Sequence, residues 1–484
     1  MVGRSVVRAW VAAAQGGMMG RWGWLGVLSM VWACGSEDGD PAARFEDGAC
    51  GHPILKEHRE RFSVRCGLLS VPELRSDPEG PRATLPIAVI EPTTVSGLDN
   101  PPILYLEGGP GGTTWYFTLE LAGDLVTQLD RAVILFEQRG APLANPALEC
   151  DRSLSRCRDF YRDRGIRVDG YSVLESAQDV CTLVDRLGFD QVALHGVSYG
   201  TLLAQEVMRR CPDRVSSAWI DGVLPADEPW SLELGPNFAA SMERVFEVCG
   251  ASEACRAAYP DPRGVFEELL ETLPRGDGFD SVFTADQLVE FLFAGMYEPA
   301  FVEGVPGLLY AVRDGRVFEF LEAWYLGSPP RASRPRQLAS SFAQGMYFAV
   351  SCNDDLQYLE RPQLEATHAS LHPVLRDHFL ALLDQALAEC ETWPHHAREA
   401  KSPVTVAVPT LATSGGFDPI TPPDGGERVA HHLPLGQFVQ FGDASHGLLF
   451  DDCARKMWFA FLEDPLAPVG TRCAGERRVQ FFVE

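Results

Sequence analysis

Gln191-Val192-Ala193-Leu194-His195-Gly196-Val197-Ser198-Tyr199-Gly200-Thr201-Leu202 is the stretch on which the reading of this sequence turns. An apolar run, Gln191 to His195, stops at Gly196, and a helical pattern from Leu202 to Arg210 follows directly. Between them, Gly196-Val197-Ser198-Tyr199-Gly200 fits G-x-S-x-G, the nucleophile elbow. A sharp strand-to-helix turn leaves no room for side chains at the flanking positions. Glycine therefore occupies both, and the serine is pushed out above the strand end. The pentapeptide alone is a weak signal, but a strand before it and a helix after it make it specific. Ser198 is the candidate nucleophile.

Working outward, Leu85–Ile90, Ile103–Leu106, Ala132–Phe136 and Ser217–Ile220 are short apolar runs, mostly closed by Gly-containing turns. Continuous apolar runs of this kind predict strands buried on both faces. Ser176–Leu187 carries Val180, Leu183, Val184 and Leu187 at helical spacing. Strands alternating with helices imply a mostly parallel, doubly wound sheet. The pattern changes near Pro229. From there to about His396 it predicts amphipathic helices at Phe238–Cys249, Arg263–Leu273, Ala285–Met296, Val302–Arg313, Arg316–Leu326 and Leu375–Cys390. Sheet-like runs return at Val404–Ala412 and Gln437–Phe441. A helical block between two halves of one sheet predicts an inserted cap, or lid, domain. At 484 residues the chain exceeds the roughly 250–300 at which single cores stop growing. The expected organisation is a signal peptide over 1–33, a tether over 34–49, the first part of an α/β core over 50–229, a helical cap over 230–400 and the second part of the core over 401–484.

A serine nucleophile needs a base, and the base needs an acid to orient it. Asp418, in Gly415-Gly416-Phe417-Asp418-Pro419, and His446, in Ala444-Ser445-His446-Gly447, each follow a predicted strand. Strand C-terminal ends are where open α/β sheets bind ligands, and the order Ser, Asp, His suits this elbow. Asp424, Asp443 and Asp221 are rivals for the acid. His431 and His432 fall in a helix-to-strand turn and are worse candidates for the base. The developing oxyanion needs backbone donors. The Tyr199 amide is one, and Gly109 in Gly108-Gly109-Pro110-Gly111 is the other.

The formal charge is −26, from 41 basic and 67 acidic residues. No Lys/Arg-rich run occurs, which excludes the electrostatic footprint of a nucleic-acid binder. Arg4, Arg8 and Arg21 precede the uncharged stretch Trp22–Ala33, which falls short of the roughly 20 apolar residues of a membrane-spanning helix. It ends at Val31-Trp32-Ala33-Cys34, similar to a bacterial lipoprotein signal in which Cys34 becomes lipidated; simple secretion is the alternative. Thirteen cysteines in an exported chain point to disulfides. Setting Cys34 aside, close spacing suggests Cys50–Cys66, Cys150–Cys157 and Cys249–Cys255, with Cys352–Cys390, Cys453–Cys473 and Cys181–Cys211 as longer loops. Neither C-x-x-C nor a clustered Cys/His spacing occurs, so no metal is expected.

Gly108-Gly109-Pro110-Gly111, Gln138-Arg139-Gly140, the Ser198-Tyr199-Gly200-Thr201 elbow, Asp221-Gly222, Phe417-Asp418-Pro419-Ile420-Thr421-Pro422 and Ser445-His446-Gly447 together resemble the proline iminopeptidase and tripeptidyl aminopeptidase group of α/β hydrolases. The resemblance implies an α/β-hydrolase fold with a helical cap. It implies a serine aminopeptidase acting on free peptide N-termini without cofactor or metal, in a mostly exported branch; the N-terminal signal would leave it secreted or held in the cell envelope by a lipid on Cys34. Its partner would be a peptide substrate, not nucleic acid, and any membrane contact would come through that lipid alone. It further implies that cap carboxylates hold the substrate ammonium; Asp354, two after Cys352, and Glu298 are the matches. Two residues depart from the pattern: Glu137 stands where Asp is usual before Gln-Arg-Gly, and Glu107 where His is common before Gly-Gly-Pro-Gly. An exported carboxylesterase with the same triad, and a non-catalytic surface lipoprotein on this scaffold, are the competing readings. The complete Ser–Asp–His set argues against the last.

Overall fold

The computed structural model describes residues 42–48, 61–92, 100–150, 153–276, 283–327, 342–397, 400–476 and 478–483. The expected signal over 1–33, Cys34 and Cys50 lie outside these residues.

Nine strands form one sheet in the order β1-β2-β3-β5-β4-β6-β7-β8-β9. They are β1 (Arg44–Asp47), β2 (Ser63–Pro72), β3 (Arg82–Glu91), β4 (Ile103–Leu106), β5 (Val133–Phe136), β6 (Val192–Val197), β7 (Val215–Asp221), β8 (Thr410–Gly415) and β9 (Gly436–Phe441). The first three pair antiparallel with their neighbours, and every pairing from β5 through β9 is parallel. Side chains alternate between two apolar cores. Leu104, Ile134, Leu194 and Ile220 enter one, while Ile103, Val133, Ala193, Trp219 and Leu411 enter the other. Both faces are thus buried, which explains why these strands read as unbroken apolar runs. The fold is the α/β-hydrolase fold, and the loops carrying Gly109, Ser198, Asp418 and His446 follow the C-terminal ends of β4, β6, β8 and β9.

Helices of the first half include α1 (Thr114–Leu129), α2 (Val173–Leu187) and α3 (Tyr199–Arg210), and α2 packs against α3, which opens at the elbow. Ser172 caps α2 by accepting the Glu175 N–H at 3.3 Å, and Gly188 closes it in the left-handed region. Arg139, from Gln138-Arg139-Gly140, is fully buried beneath the sheet edge. Its Nε and Nη2 each bond the Asp179 carboxylate of α2 at 2.7 Å. Its Nη1 donates to the carbonyls of Glu73 and Gly170 at 2.7 and 2.6 Å. A bidentate guanidinium–carboxylate pair, with its remaining donors satisfied, is the one arrangement in which a buried charge is well compensated.

Two expected elements differ. The run Val404–Ala412 joins the ladder only at Thr410. Pro403 and Pro409 have no N–H to give a neighbour, although the Pro409 carbonyl accepts the Ala218 N–H. Val302–Arg313 is divided into Pro299–Val302 and Val305–Arg313. Gly304 caps the second piece, and Pro306 sits in its first turn, where a missing N–H costs nothing.

Between β7 and β8 the named elements among the described residues are all helices. Its packing is divided. Residues from Leu234 to Phe320, with Leu375 and Phe379, build a core of their own. Met346, Phe348, Val350, Leu356 and Leu383 instead join the core on one face of the sheet. Disulfides Cys150–Cys157, Cys181–Cys211, Cys249–Cys255, Cys352–Cys390 and Cys453–Cys473 are formed as expected, and Cys66 is also disulfide-bonded. Such bonds persist in oxidising compartments, which points to export. Among the described residues, no helix is long and apolar enough to cross a membrane.

Candidate active site

Ser198 sits between β6 and α3 with φ 56° and ψ −124°, a conformation unfavourable for a side-chain-bearing residue. The surroundings impose it. A Cβ on Gly196 would stand 2.3 Å from the Gly200 carbonyl oxygen, and one on Gly200 would stand 2.1 Å from that of Leu106. Neither position admits a side chain. The Ser198 N–H is held by the Asp221 carbonyl at 2.9 Å.

Asp418 is fully buried in the turn after β8. Its Oδ1 accepts the N–H groups of Ile420 and Thr421, both at 2.9 Å. Its Oδ2 accepts the Thr421 hydroxyl at 2.5 Å and lies 2.8 Å from His446 Nδ1. Burial favours the neutral acid, but the facing imidazole and these donors outweigh it and hold Asp418 below the usual carboxylate range. For His446, burial opposes the charged ring, and the Asp418 carboxylate overcomes that, leaving its pKa above the ordinary imidazole value. Engagement of Nδ1 leaves Nε2 as the ring nitrogen available to a substrate or nucleophile.

The Ser198 and His446 loops meet. A Cβ on Gly222 would lie 3.4 Å from His446 Cε1, one residue from the Asp221 that holds Ser198. A Cβ on Gly447 would lie 3.8 Å from Val197 Cγ2. The loop after β4 meets the same place, since a Cβ on Gly108 would stand 3.0 Å from that of Ser198.

The Gly108 N–H turns back to Glu107 Oε1 at 2.8 Å, so it is not free to face an oxyanion. That directs attention to Gly109, whose φ of 115° suits glycine. Tyr199 opens α3, where backbone N–H groups lack intrahelical partners. The two departures noted in the sequence lie under this loop. Glu107 accepts the Tyr105 hydroxyl at 3.3 Å. Glu137 accepts the Thr113 hydroxyl at 3.0 Å and the N–H groups of Thr114 and Leu143 at 3.2 Å. Burial pushes Glu107 up to about 6 and Glu137 up to about 7.

The rivals are placed elsewhere. Asp424 and His431 are exposed on Pro423–His432, where His432 also lies. Asp443 precedes the His446 loop, and Asp221 lies beneath it without bonding the imidazole. The two implied amine-binding acids separate. Glu298 lies in electrostatic range of His446, and the neighbouring Tyr297 ring meets the imidazole edge-on at 4.8 Å. Asp354 accepts the Val173 N–H at the start of α2 at 2.8 Å and faces His396 at 3.5 Å. Thr421 is the residue whose part the sequence reading missed. Its Oγ1 stands 3.1 Å from His446 Nδ1 as well as bonding Asp418. A hydroxyl three residues after the Asp of an Asp-Pro turn was the available signal.

Residues 101–260 match the family model for the α/β hydrolase fold, and residues 378–473 match that for TAP-like proteins. The chain is a serine hydrolase of the α/β fold. Within that class its C-terminal part matches the TAP-like model, and the chain is similar to named serine proteases and proline iminopeptidases. It is 22% identical over 467 residues to Serine protease Hip1 of Mycobacterium tuberculosis, covering 84% of this chain and 87% of that protein. It is 27% identical over 139 residues to a proline iminopeptidase of Lactobacillus delbrueckii subsp. bulgaricus, covering 28% of this chain and 40% of that one. A solved esterase from Thermogutta terrifontis is similar at 17% identity and a TM-score of 0.35, covering 80% of this chain and 95% of that one.

Proposed function

We propose that the protein is an exported serine aminopeptidase that releases residues from the free N-termini of peptides. The observation that carries this reading is the meeting of the strained Ser198 turn with the His446–Asp418 pair, beneath a cap residue, Glu298, whose negative charge reaches the same imidazole. Ser198 Oγ attacks the scissile carbonyl carbon while His446 Nε2 takes its proton. The Gly109 and Tyr199 amides hold the oxyanion. The C–N bond then breaks, and His446 returns the proton to the leaving amine. Water, activated by the same imidazole, releases the acyl group and restores Ser198. Glu298 supplies the counter-charge for a protonated N-terminus, and Asp354 is too engaged with α2 and His396 to serve as well. By the same reading the peptide is the partner, and a lipid on Cys34 provides the membrane attachment.

The test is incubation of the purified mature chain, and of Ser198→Ala, with peptides bearing free or acetylated N-termini, with products followed by mass. Stepwise N-terminal release by the wild type alone, blocked by acetylation, is the expected result. Ester hydrolysis without peptide cleavage, lost in Ser198→Ala, would move the function to a carboxylesterase.

A further inference from the structure

Asp221 ends β7 at the point where the loops from three other strands come together. Its side chain is fully buried. Its backbone carbonyl accepts the Ser198 N–H at 2.9 Å, fixing the nucleophile turn after β6. Its Oδ1 accepts the Thr413 hydroxyl at 3.1 Å, on the strand that leads to Asp418. Thr413 in turn accepts the Trp219 indole N–H at 2.9 Å, so its hydroxyl hydrogen is left to point at Asp221. Its Oδ2 accepts the Leu448 N–H, two residues past His446. The next residue, Gly222, packs against the His446 ring and the Thr421 hydroxyl.

One residue therefore holds the loops that carry Ser198, Asp418 and His446, while touching none of the reacting atoms. On the assignment of those three residues made above, we infer that Asp221 is a positioning residue, whose carboxylate sets the His446 loop against the nucleophile turn. A buried carboxylate bonded at both oxygens by separate strands resists displacement of either, because a broken bond would leave a buried polar group unpaired. Misplacement of a catalytic group by about 1 Å costs as much as 10²-fold in rate. The carboxylate also acts through charge. The carboxylates facing His446 are Asp418, Asp221 and Glu298, and all three favour the imidazolium, while the Tyr297 ring meets the imidazole edge-on at 4.8 Å. Asp221 itself faces His446 and Asp418, with Tyr105 of β4 also in electrostatic range. Burial pushes its pKa up to about 7.

The test compares the full chain with Asp221→Asn and Asp221→Ala by three readouts. These are the rate of Ser198 labelling by a fluorophosphonate as a function of pH, kcat and KM for p-nitrophenyl acetate, and Tm. Asn keeps an acceptor for the Leu448 N–H but loses the charge; Ala loses both. The expected result for Asp221→Ala is labelling and kcat lower by about 10²-fold with KM little changed. For Asp221→Asn it is a loss of no more than about tenfold, with the acidic limb of the labelling profile moved to lower pH, because one carboxylate favouring the imidazolium is gone. A merely structural carboxylate would lower Tm and leave the labelling rate of folded protein unchanged. Wild-type rates and an unmoved limb in the folded variants overturn the inference; if Asp221→Ala fails to fold, an unmoved limb in Asp221→Asn does so alone. Failure of the wild type to label at Ser198 overturns the Ser198 assignment, and this inference with it.

Discussion

The strand-end loops and the helical insert solve the placement of chemistry in different ways. At the ends of β6, β8 and β9 the backbone itself dictates position. Gly196 and Gly200 are pressed against carbonyl oxygens, and Asp418 is bonded by the N–H groups of its own turn. In the insert, position comes from tertiary packing. Glu298 and Asp354 carry the same charge on the same helical block, yet one faces His446 and the other serves the N-terminus of α2. Local geometry can be read from a short motif, whereas a carboxylate on a helix takes its meaning from whatever that helix is packed against.

The largest expected effect tests the strand-end side. Asp418→Asn keeps the shape of the turn but removes the charge that holds the imidazole, and kcat/KM should fall by about 10³–10⁴ with KM little changed. A loss below tenfold would mean that another carboxylate, with Asp221 nearest, can orient His446.

Next comes the division within the insert. Glu298→Gln should raise KM about tenfold for peptides with free N-termini, the value of one charge-assisted bond, and leave p-nitrophenyl acetate hydrolysis unchanged. Equal effects on both substrates would show that Glu298 acts on the imidazole rather than on an ammonium group. Asp354→Asn should leave both KM values alone.

A smaller effect is expected at Thr421. Replacement by Val removes a donor to Asp418, and kcat should fall about fivefold, in keeping with a hydrogen bond of about 1 kcal/mol. The pH profile supplies the sign. In the proposed mechanism His446 must be neutral to accept the Ser198 proton, and its pKa is held above the ordinary value, so wild-type activity should fall as pH drops through a limb above about 6.5. In Thr421→Val, Asp418 loses a donor that favours its charged form, and its pKa rises. Finally, Asp354→Asn should cost only about 1–2 kcal/mol of stability by weakening the start of α2, visible as a lower Tm.

The sheet was legible, and Ser198, Asp418 and His446 could be singled out as candidates, because each depends on short-range constraints: apolar runs, paired glycines, and an Asp and a His just past strands. What the sequence left out depends on distance. The helices Gln344–Asp354 and Arg361–His368 were not anticipated, and much of the former is buried in the sheet's own core, where an amphipathic period is erased. β2 was missed because Gly67 and Arg65 interrupt its apolar pattern. Thr421 was inside a quoted motif without a role, since its hydroxyl gains one only where the β8 and β9 loops converge.

The arginine of Gln138-Arg139-Gly140 illustrates how a motif can mislead a functional screen. Arg139 bonds Asp179 of α2 and three backbone carbonyls, Pro72, Glu73 and Gly170, and no bond of its guanidinium reaches the Ser198 turn. Its replacement would leave buried Asp179 with Arg75 as its one remaining cation, and a survey scoring surviving activity alone would rank it beside Ser198. Soluble yield measured on the same variants would part the two, because a chain lacking Ser198 Oγ accumulates in full while one lacking the guanidinium does not.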